Sequence, residues 1–424
     1  MKQSIISIQE RKHNARLYPI YKACSWDLLF YYAIAFVFLT QTKGMSVASV
    51  MFTDAMYPLF KVIFQLPTLT LIDKIGKRNS LIIANICLSL TLVIIIFSNG
   101  IPMVLVAYLV MAFSFAIKNV AESNLLYDSV KVRKGMFAKI EEIGERNYYF
   151  LDGLTSIFTG FLFVINGYIP LIVSIGFTVI GTALCTCFKE VYPIDKGNVQ
   201  TLEQRIKDYG EQLKSAFRFI FKSRRLQAIM IFTLFFDGLI YTSYTLREGL
   251  LTELGVSAEF FAIAISVLTI ISGIAANTQE VIHNKFRNKA LTFISLIYVI
   301  SFILIGTVCT LNLNWIITLV VILGIYGIQY ALQAPYGILN SKYLKSFASP
   351  DMRVKIATTF DLIKSISFFV IAMVASYMLS IISPQASFLI IGIVFTVIMI
   401  VVLVWMKNRF GLKPEEYRKE DIQY

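Results

Sequence analysis

Within an otherwise apolar stretch at 46–72 the chain places Asp54, Lys61 and Gln65 at i, i+7 and i+11. On a helix turning 100° per residue these fall in a stripe about 40° wide, flanked by Tyr57, Pro58 and Thr68. An acid, an ammonium and an amide on one helix face can hold a polar solute. They do not pair a nucleophile with a base, so the chemistry they suggest is binding rather than bond making. Lys61 precedes Asp73 by twelve residues, about 18 Å along a helix. Asp237 sits midway along the apolar stretch 226–246, one turn from Tyr241 and with no basic residue beside it in sequence. A carboxyl in such a place suits a group that takes up and releases a proton. Asp152 and Asp361 lie shallower in their own stretches, and Lys364, one turn beyond Asp361, predicts an intrahelical pair with it. Lys118 and Glu122 form a second i, i+4 pair. Tyr326, Gln329, Tyr330, Gln333 and Tyr336 put uncharged hydrogen-bonding groups on one side of 314–340, which fits either a cavity wall or helix–helix bonding.

Other chemistries find no residues. The five cysteines lie in or beside apolar runs without a CxxC, and His13 and His283 are far apart, so neither a metal site nor a cofactor is expected. No GxxxxGK[ST] loop occurs, so ATP is not the direct energy source. No enzyme is expected.

The elements that hold these residues follow from composition. Of 424 residues, 57% are hydrophobic and 15% charged, against about 25% charged in soluble domains. Twelve apolar runs recur, most near the length that spans a bilayer, and their continuity marks helices rather than barrel strands. The expected fold class is an all-α integral membrane protein with twelve transmembrane helices in two six-helix pseudo-repeat bundles. The parts are a cytoplasmic N-terminus (1–22), a first bundle (23–187), a linker (188–225), a second bundle (226–406) and a tail (407–424). The N-terminus is basic and lacks a signal-peptide cleavage pattern, so the first span, 23–42, should be retained. Thirty-four of the 39 Lys and Arg fall in alternate loops, and only Lys43 and Arg247 are assigned to the opposite set. That asymmetry puts both termini in the cytoplasm, and anionic lipid rather than nucleic acid accounts for the net charge of +13.

In the linker, Thr201 and Gln204 predict a capping box opening an amphipathic helix with Leu202, Ile206, Tyr209, Leu213 and Phe217 on one side. The two halves repeat faintly: Asp27 with Asp237, Asp73 with His283, and Asp152 with Asp361 recur at offsets of 209–210 residues.

The loop Leu69-Thr70-Leu71-Ile72-Asp73-Lys74-Ile75-Gly76-Lys77-Arg78 resembles the signature G-x-L-x-D-x-x-G-R-K of the major facilitator superfamily, with Leu69 in place of the leading glycine. Leu125–Ser129 and the start of the eleventh run are similar to an exporter-like bacterial branch. Two features of drug exporters are missing. The fifth run has Gly153 and Gly160 without a proline between them, and Tyr108 stands near the place of a helix 4 arginine. The resemblance implies a gate motif of Asp73, Gly76, Lys77, Arg78 and Asp128, with Asp73 facing the eleventh helix and Lys77 or Arg78 pairing with Asp128.

The reading is a monomeric secondary transporter in a bacterial plasma membrane. It would move a small organic or amphipathic solute by alternating access, most simply as a proton-coupled exporter (an antiporter). Nutrient uptake and a non-transporting sensor or immunity protein are the alternatives. The expected cavity and coupling set is Asp54, Lys61, Gln65, Asp152, Asp237, Tyr241, Gln329, Gln333 and Asp361.

Overall fold

The structure, a computed structural model, describes residues 7–130, 136–192, 200–311, 313–349 and 351–407. The expected tail beyond 407 and linker residues 193–199 lie outside them. The described chain is helical. In order it forms α1 (Ile8–Ser25), α2 (Ala35–Val37), α3 (Val47–Ile75), α4 (Lys77–Ile96), α5 (Ile101–Val130), α6 (Met136–Ile165), α7 (Ile169–Cys187) and α8 (Leu202–Lys222). There follow α9 (Arg224–Glu253), α10 (Ala258–Ala275), α11 (Gln279–Phe286), α12 (Ala290–Thr310), α13 (Trp315–Phe347), α14 (Arg353–Ile381) and α15 (Pro384–Met406). Eleven spans are long and apolar enough to cross a membrane among the described residues, α10 and α11 counting as one across a single 3₁₀ turn. Val164, Ile172, Val320, Val397 and Val404 are among the large apolar side chains left exposed, as a lipid-facing surface requires.

The expected first span is not one helix. A Ser7/Glu10 capping box opens α1 well before residue 23, and its bonds to Ser7 hold the Glu10 carboxyl below the usual carboxylate range. The helix stops at Ser25. Residues 26–34 run as turns, with Phe30 at φ 65°, before α2 and a five-residue π turn, Phe38–Thr42. A positive φ at a bulky residue is strained by about 1–3 kcal/mol. Polar residues of α1 escape the apolar pattern because they are paired: Asn14 with Ser129 and the Lys189 carbonyl, Tyr21 with Glu122, and Lys22 with Glu141.

The chain forms two compact units. The N-terminal unit comprises the described residues up to Met45, with Met56–Lys207 and Ser257–Ile263; the C-terminal unit comprises Ser46–Ala55, Asp208–Val256 and Ala264 onward. In the N-terminal unit the core gathers Tyr18, Tyr21, Leu81, Ile117, Leu125 and Phe188. Serine and threonine draw its helices together: Ser114 Oγ donates to the Ala84 carbonyl at 2.7 Å, and Ser89 meets Thr178 at 2.7 Å. Gly76, at φ 86°, makes the turn between α3 and α4 that a Cβ would oppose.

In the C-terminal unit α9 is enclosed by α13, α14 and α15. Small residues set the spacing of α12 and α15. A Cβ on Gly306 would lie 2.8 Å from the Leu389 backbone nitrogen, and one on Gly392 would lie 2.9 Å from that of Ile303. Without a hydrophobic drive between helices in lipid, such close packing supplies the attraction. The predicted capping box of α8 forms, Gln204 N–H to Thr201 Oγ1 at 3.2 Å and Thr201 N–H to Gln204 Oε1 at 3.1 Å.

Candidate functional site

In the N-terminal unit Lys22, Lys118 and Glu122 gather around the C-terminal end of α1. Lys118 is 1% exposed. It donates to the carbonyl of Ser25 and, at 3.1 Å, to Ser25 Oγ, while lying 3.4 Å from Glu122. A cation at the exposed carbonyls of a C-terminus is favourable, and here it satisfies backbone groups that lipid cannot. The expected Lys118/Glu122 pair therefore also terminates α1. Glu122 accepts from Tyr21 Oη at 2.7 Å. Beyond the break, Trp26 packs edge-on against Tyr148 at 4.7 Å, and the Asp27 carboxylate accepts from the Leu28 amide at 3.0 Å. Asp27 and Asp152 lie close enough to feel each other's charge, Asp152 being half-buried on α6.

The loop motif also resolves into pairs. Lys77, the first residue of α4, forms an ion pair with Asp128 near the end of α5, as the motif implied. Arg78 donates through Nη2 to the Thr186 carbonyl at 2.7 Å, and its amide donates to Glu190 at 2.8 Å. Asp73 pairs with Arg205 on α8, a partner the resemblance did not suggest. Lys61 is exposed and Gln65 half-buried on α3.

In the C-terminal unit the charge lies deeper. Asp237 is thirteen residues into α9, about 20 Å along it, and its side chain is 9% exposed. Lys364 Nζ on α14 stands 2.9 Å from Asp237 Oδ2, and Tyr336 on α13 donates to Oδ1. Asn340 Nδ2 donates to Tyr336 Oη at 3.3 Å, and Thr233 Oγ1 to Asn340 Oδ1 at 3.2 Å. Two expectations are corrected here. Asp237 has a cation beside it, and Lys364 reaches across to Asp237 at 2.9 Å instead of serving as the intrahelical mate of Asp361. A contact between residues 127 apart leaves no mark in local spacing. Asp54, in the same unit, accepts from Thr245 Oγ1 at 3.0 Å, and its carbonyl accepts from Tyr241 Oη at 2.8 Å; Tyr241 stacks on Phe368 at 4.6 Å.

The polar side of α13 is a hydrogen-bonded wall. Gln333 donates to Tyr298 Oη at 3.0 Å and accepts from Tyr244 Oη at 3.1 Å, and Gln329 donates to Ser301 Oγ at 2.6 Å. Arg247 is a third correction. Its charge suggested the end of a span and an outer loop, but α9 continues to Glu253 and Arg247 is 1% exposed within it. In the sequence, only the lack of a proline between Arg247 and Gly255, eight residues on, left room for a longer helix. Among the described residues no three His, Cys, Asp or Glu side chains form a group able to hold a metal.

The sequence matches the Major Facilitator Superfamily family model over residues 23–367. The chain belongs to the major facilitator superfamily. Solved structures agree on the fold of this superfamily member. The nucleoside transporter NupG is 12% identical with TM-score 0.73, covering 94% of this chain and 99% of its own. A bacterial homolog of the human lysosomal transporter Spinster, inward-facing and unoccupied, is 13% identical with TM-score 0.67, covering 96% of each chain. A D-xylose-proton symporter is 11% identical with TM-score 0.62, covering 96% of this chain and 98% of its own. No curated protein matches the chain significantly. Superfamily membership and the apolar helices make it a multi-pass membrane protein and a transporter, not an enzyme.

Proposed function

We propose that the protein is a proton-coupled secondary transporter that exports a small organic solute across a bacterial plasma membrane by alternating access. In this reading both termini are cytoplasmic. The observation that carries it is the Asp237–Lys364–Tyr336 cluster, an ion pair held at bilayer depth inside one unit. Ionisable groups in a membrane interior are costly and default to function. A proton arriving at Asp237 competes with Lys364 for the same carboxylate. Protonation frees Lys364, deprotonation recaptures it, and the exchange gives the helices α9 and α14 two arrangements. The other groups around Asp237 are the phenol of Tyr336 and, more distantly, that of Tyr244. Lys77–Asp128 and Asp73–Arg205 serve as the cytoplasmic latch; the solute-contacting groups are Lys61, Gln65 and Asp152 in the N-terminal unit and, in the C-terminal unit, Asp54, Gln329, Gln333 and Asp361.

A second reading, proton-coupled uptake, is favoured by the fifth-helix pattern, in which Gly153 and Gly160 lack the proline of drug exporters. The test reconstitutes the Asp237→Asn variant and follows the solute that best stabilises the protein thermally. The variant should lose gradient-driven transport and keep solute exchange, and the direction of driven flux in the unmutated protein separates export from uptake. Undiminished driven transport in Asp237→Asn would remove the coupling role.

A further inference from the structure

Arg247 lies 23 residues from the start of α9, about 34 Å along the helix. Its guanidinium is enclosed by aromatic rings: its carbon stands 4.6 Å from the ring centre of Tyr330, 5.0 Å from Tyr244 and 5.7 Å from Tyr326. Among the described residues no carboxylate lies within 4 Å of it, and its Nε and Nη1 are buried with no hydrogen-bond acceptor. Leaving charged donors unmet in a buried, apolar setting is expensive. The ring faces offset part of that cost, but they accept none of the guanidinium's hydrogen bonds. Two further groups at the same wall are also unmet: Tyr326 Oη, and Oε1 of Gln329 one turn along α13, both fully buried. Donors and an acceptor gathered on one wall are groups that a polar ligand can meet.

We propose that Arg247 receives the carboxylate or phosphate of the transported solute. This rests on the reading of the chain as a transporter. Arginine presents a fork of N–H donors that suits a two-oxygen anion. Tyr326 Oη adds a further donor, and Gln329 Oε1 accepts from an O–H or N–H of the same solute. The solute class is an organic anion that also carries a hydrogen-bond donor. Tyr244, 37% exposed and tethered to Gln333 by one 3.1 Å bond, is the wall that turns aside to admit it. The ring cage also selects: the neighbouring Glu248 carboxylate is near enough to feel the cation's charge but makes no ion pair with it, so the incoming anion has no bonded partner to displace.

The experiment measures thermal stabilisation of the full-length protein in neutral detergent by mandelate and phenyl phosphate, each beside its neutral counterpart, mandelamide or phenol. The anions should stabilise and the neutral compounds should not. Arg247→Gln should weaken anion binding about 30-fold or more, the loss typical of truncating one partner of a buried charged hydrogen bond. Should Arg247→Gln fail to fold, Tyr326→Phe serves instead. Its lost hydroxyl bonds nothing in the empty protein, so the unliganded melting temperature should hold while anion binding weakens several-fold. Equal stabilisation by the neutral compounds, anion binding indifferent to these substitutions, or no stabilisation by either anion overturns the proposal. So does stabilisation confined to short-chain phosphatidylglycerol, which would assign the cage to a lipid headgroup. Proteoliposome flux separates this claim from transport itself. Anion binding at Arg247 without flux refutes the transporter reading alone, and flux of a neutral solute unaffected by Arg247→Gln refutes the receptor alone.

Discussion

In the N-terminal unit Lys22, Lys77 and Lys118 each meet a carboxylate at a helix end, whereas in the C-terminal unit Lys364 meets Asp237 well inside α9 and Arg247 meets tyrosine rings. The first arrangement spends charge on termini. Lys118 closes the last turn of α1, and Lys77 ties the start of α4 to α5. The second places charge where no backbone needs it. The lesson is that buried charge by itself does not mark a functional site in this fold; charge without a structural debt does.

The largest effect should come from breaking the N-terminal arrangement. Lys118→Met leaves Glu122 buried without its cation and the end of α1 uncapped, costing about 3–5 kcal/mol. Thermal unfolding in detergent should show a sharp loss, much of it recovered in the Lys118→Met, Glu122→Gln double variant. If Lys118→Met is as stable as the parent, the structural reading of that cluster fails. Packing comes next. Gly306→Ala pushes a Cβ into the backbone of Leu389 and should cost about 1–3 kcal/mol, whereas Gly324→Ala, with open space around it, should be near neutral. A similar loss at both sites would argue against close α12–α15 contact.

The latch sharpens the comparison from the other side. Lys77 and Asp128 are partly exposed, so Asp128→Asn should cost no more than about 1 kcal/mol, yet lower transport roughly tenfold if the pair favours one state of the cycle. Normal flux in that variant would make the pair a plain surface bridge. Lys61→Ala should be smallest in stability, within about 0.5 kcal/mol for an exposed side chain. It should still weaken solute binding in a thermal-shift titration, and unaltered affinity would take Lys61 out of the cavity.

Apolar run length made most spans legible, because a bilayer demands about twenty apolar residues whatever their partners. Lys77 with Asp128, 51 residues apart, was legible only because the loop resembles a known signature that implies the pairing. The first span was misjudged because Asn14, Tyr21 and Lys22 look like a solvated terminus until their partners on other helices are known. Arg247 was misplaced by the same rule that found the spans, since an apolar count treats a charge as a boundary. Lys364 was assigned to Asp361 from helical spacing, and only the fold brings α14 against α9 and makes Asp237 its partner.

The central claim is that Asp237 couples transport to protons while the charges around Lys118 serve the fold. The direct measurement is solute-induced proton movement in proteoliposomes loaded with a pH-sensitive dye, comparing Asp237→Asn with Glu122→Gln at equal amounts of folded protein. Asp237→Asn should abolish the proton signal while solute exchange continues, and Glu122→Gln should keep both. A full proton signal in Asp237→Asn, or its loss in Glu122→Gln alone, would contradict the account.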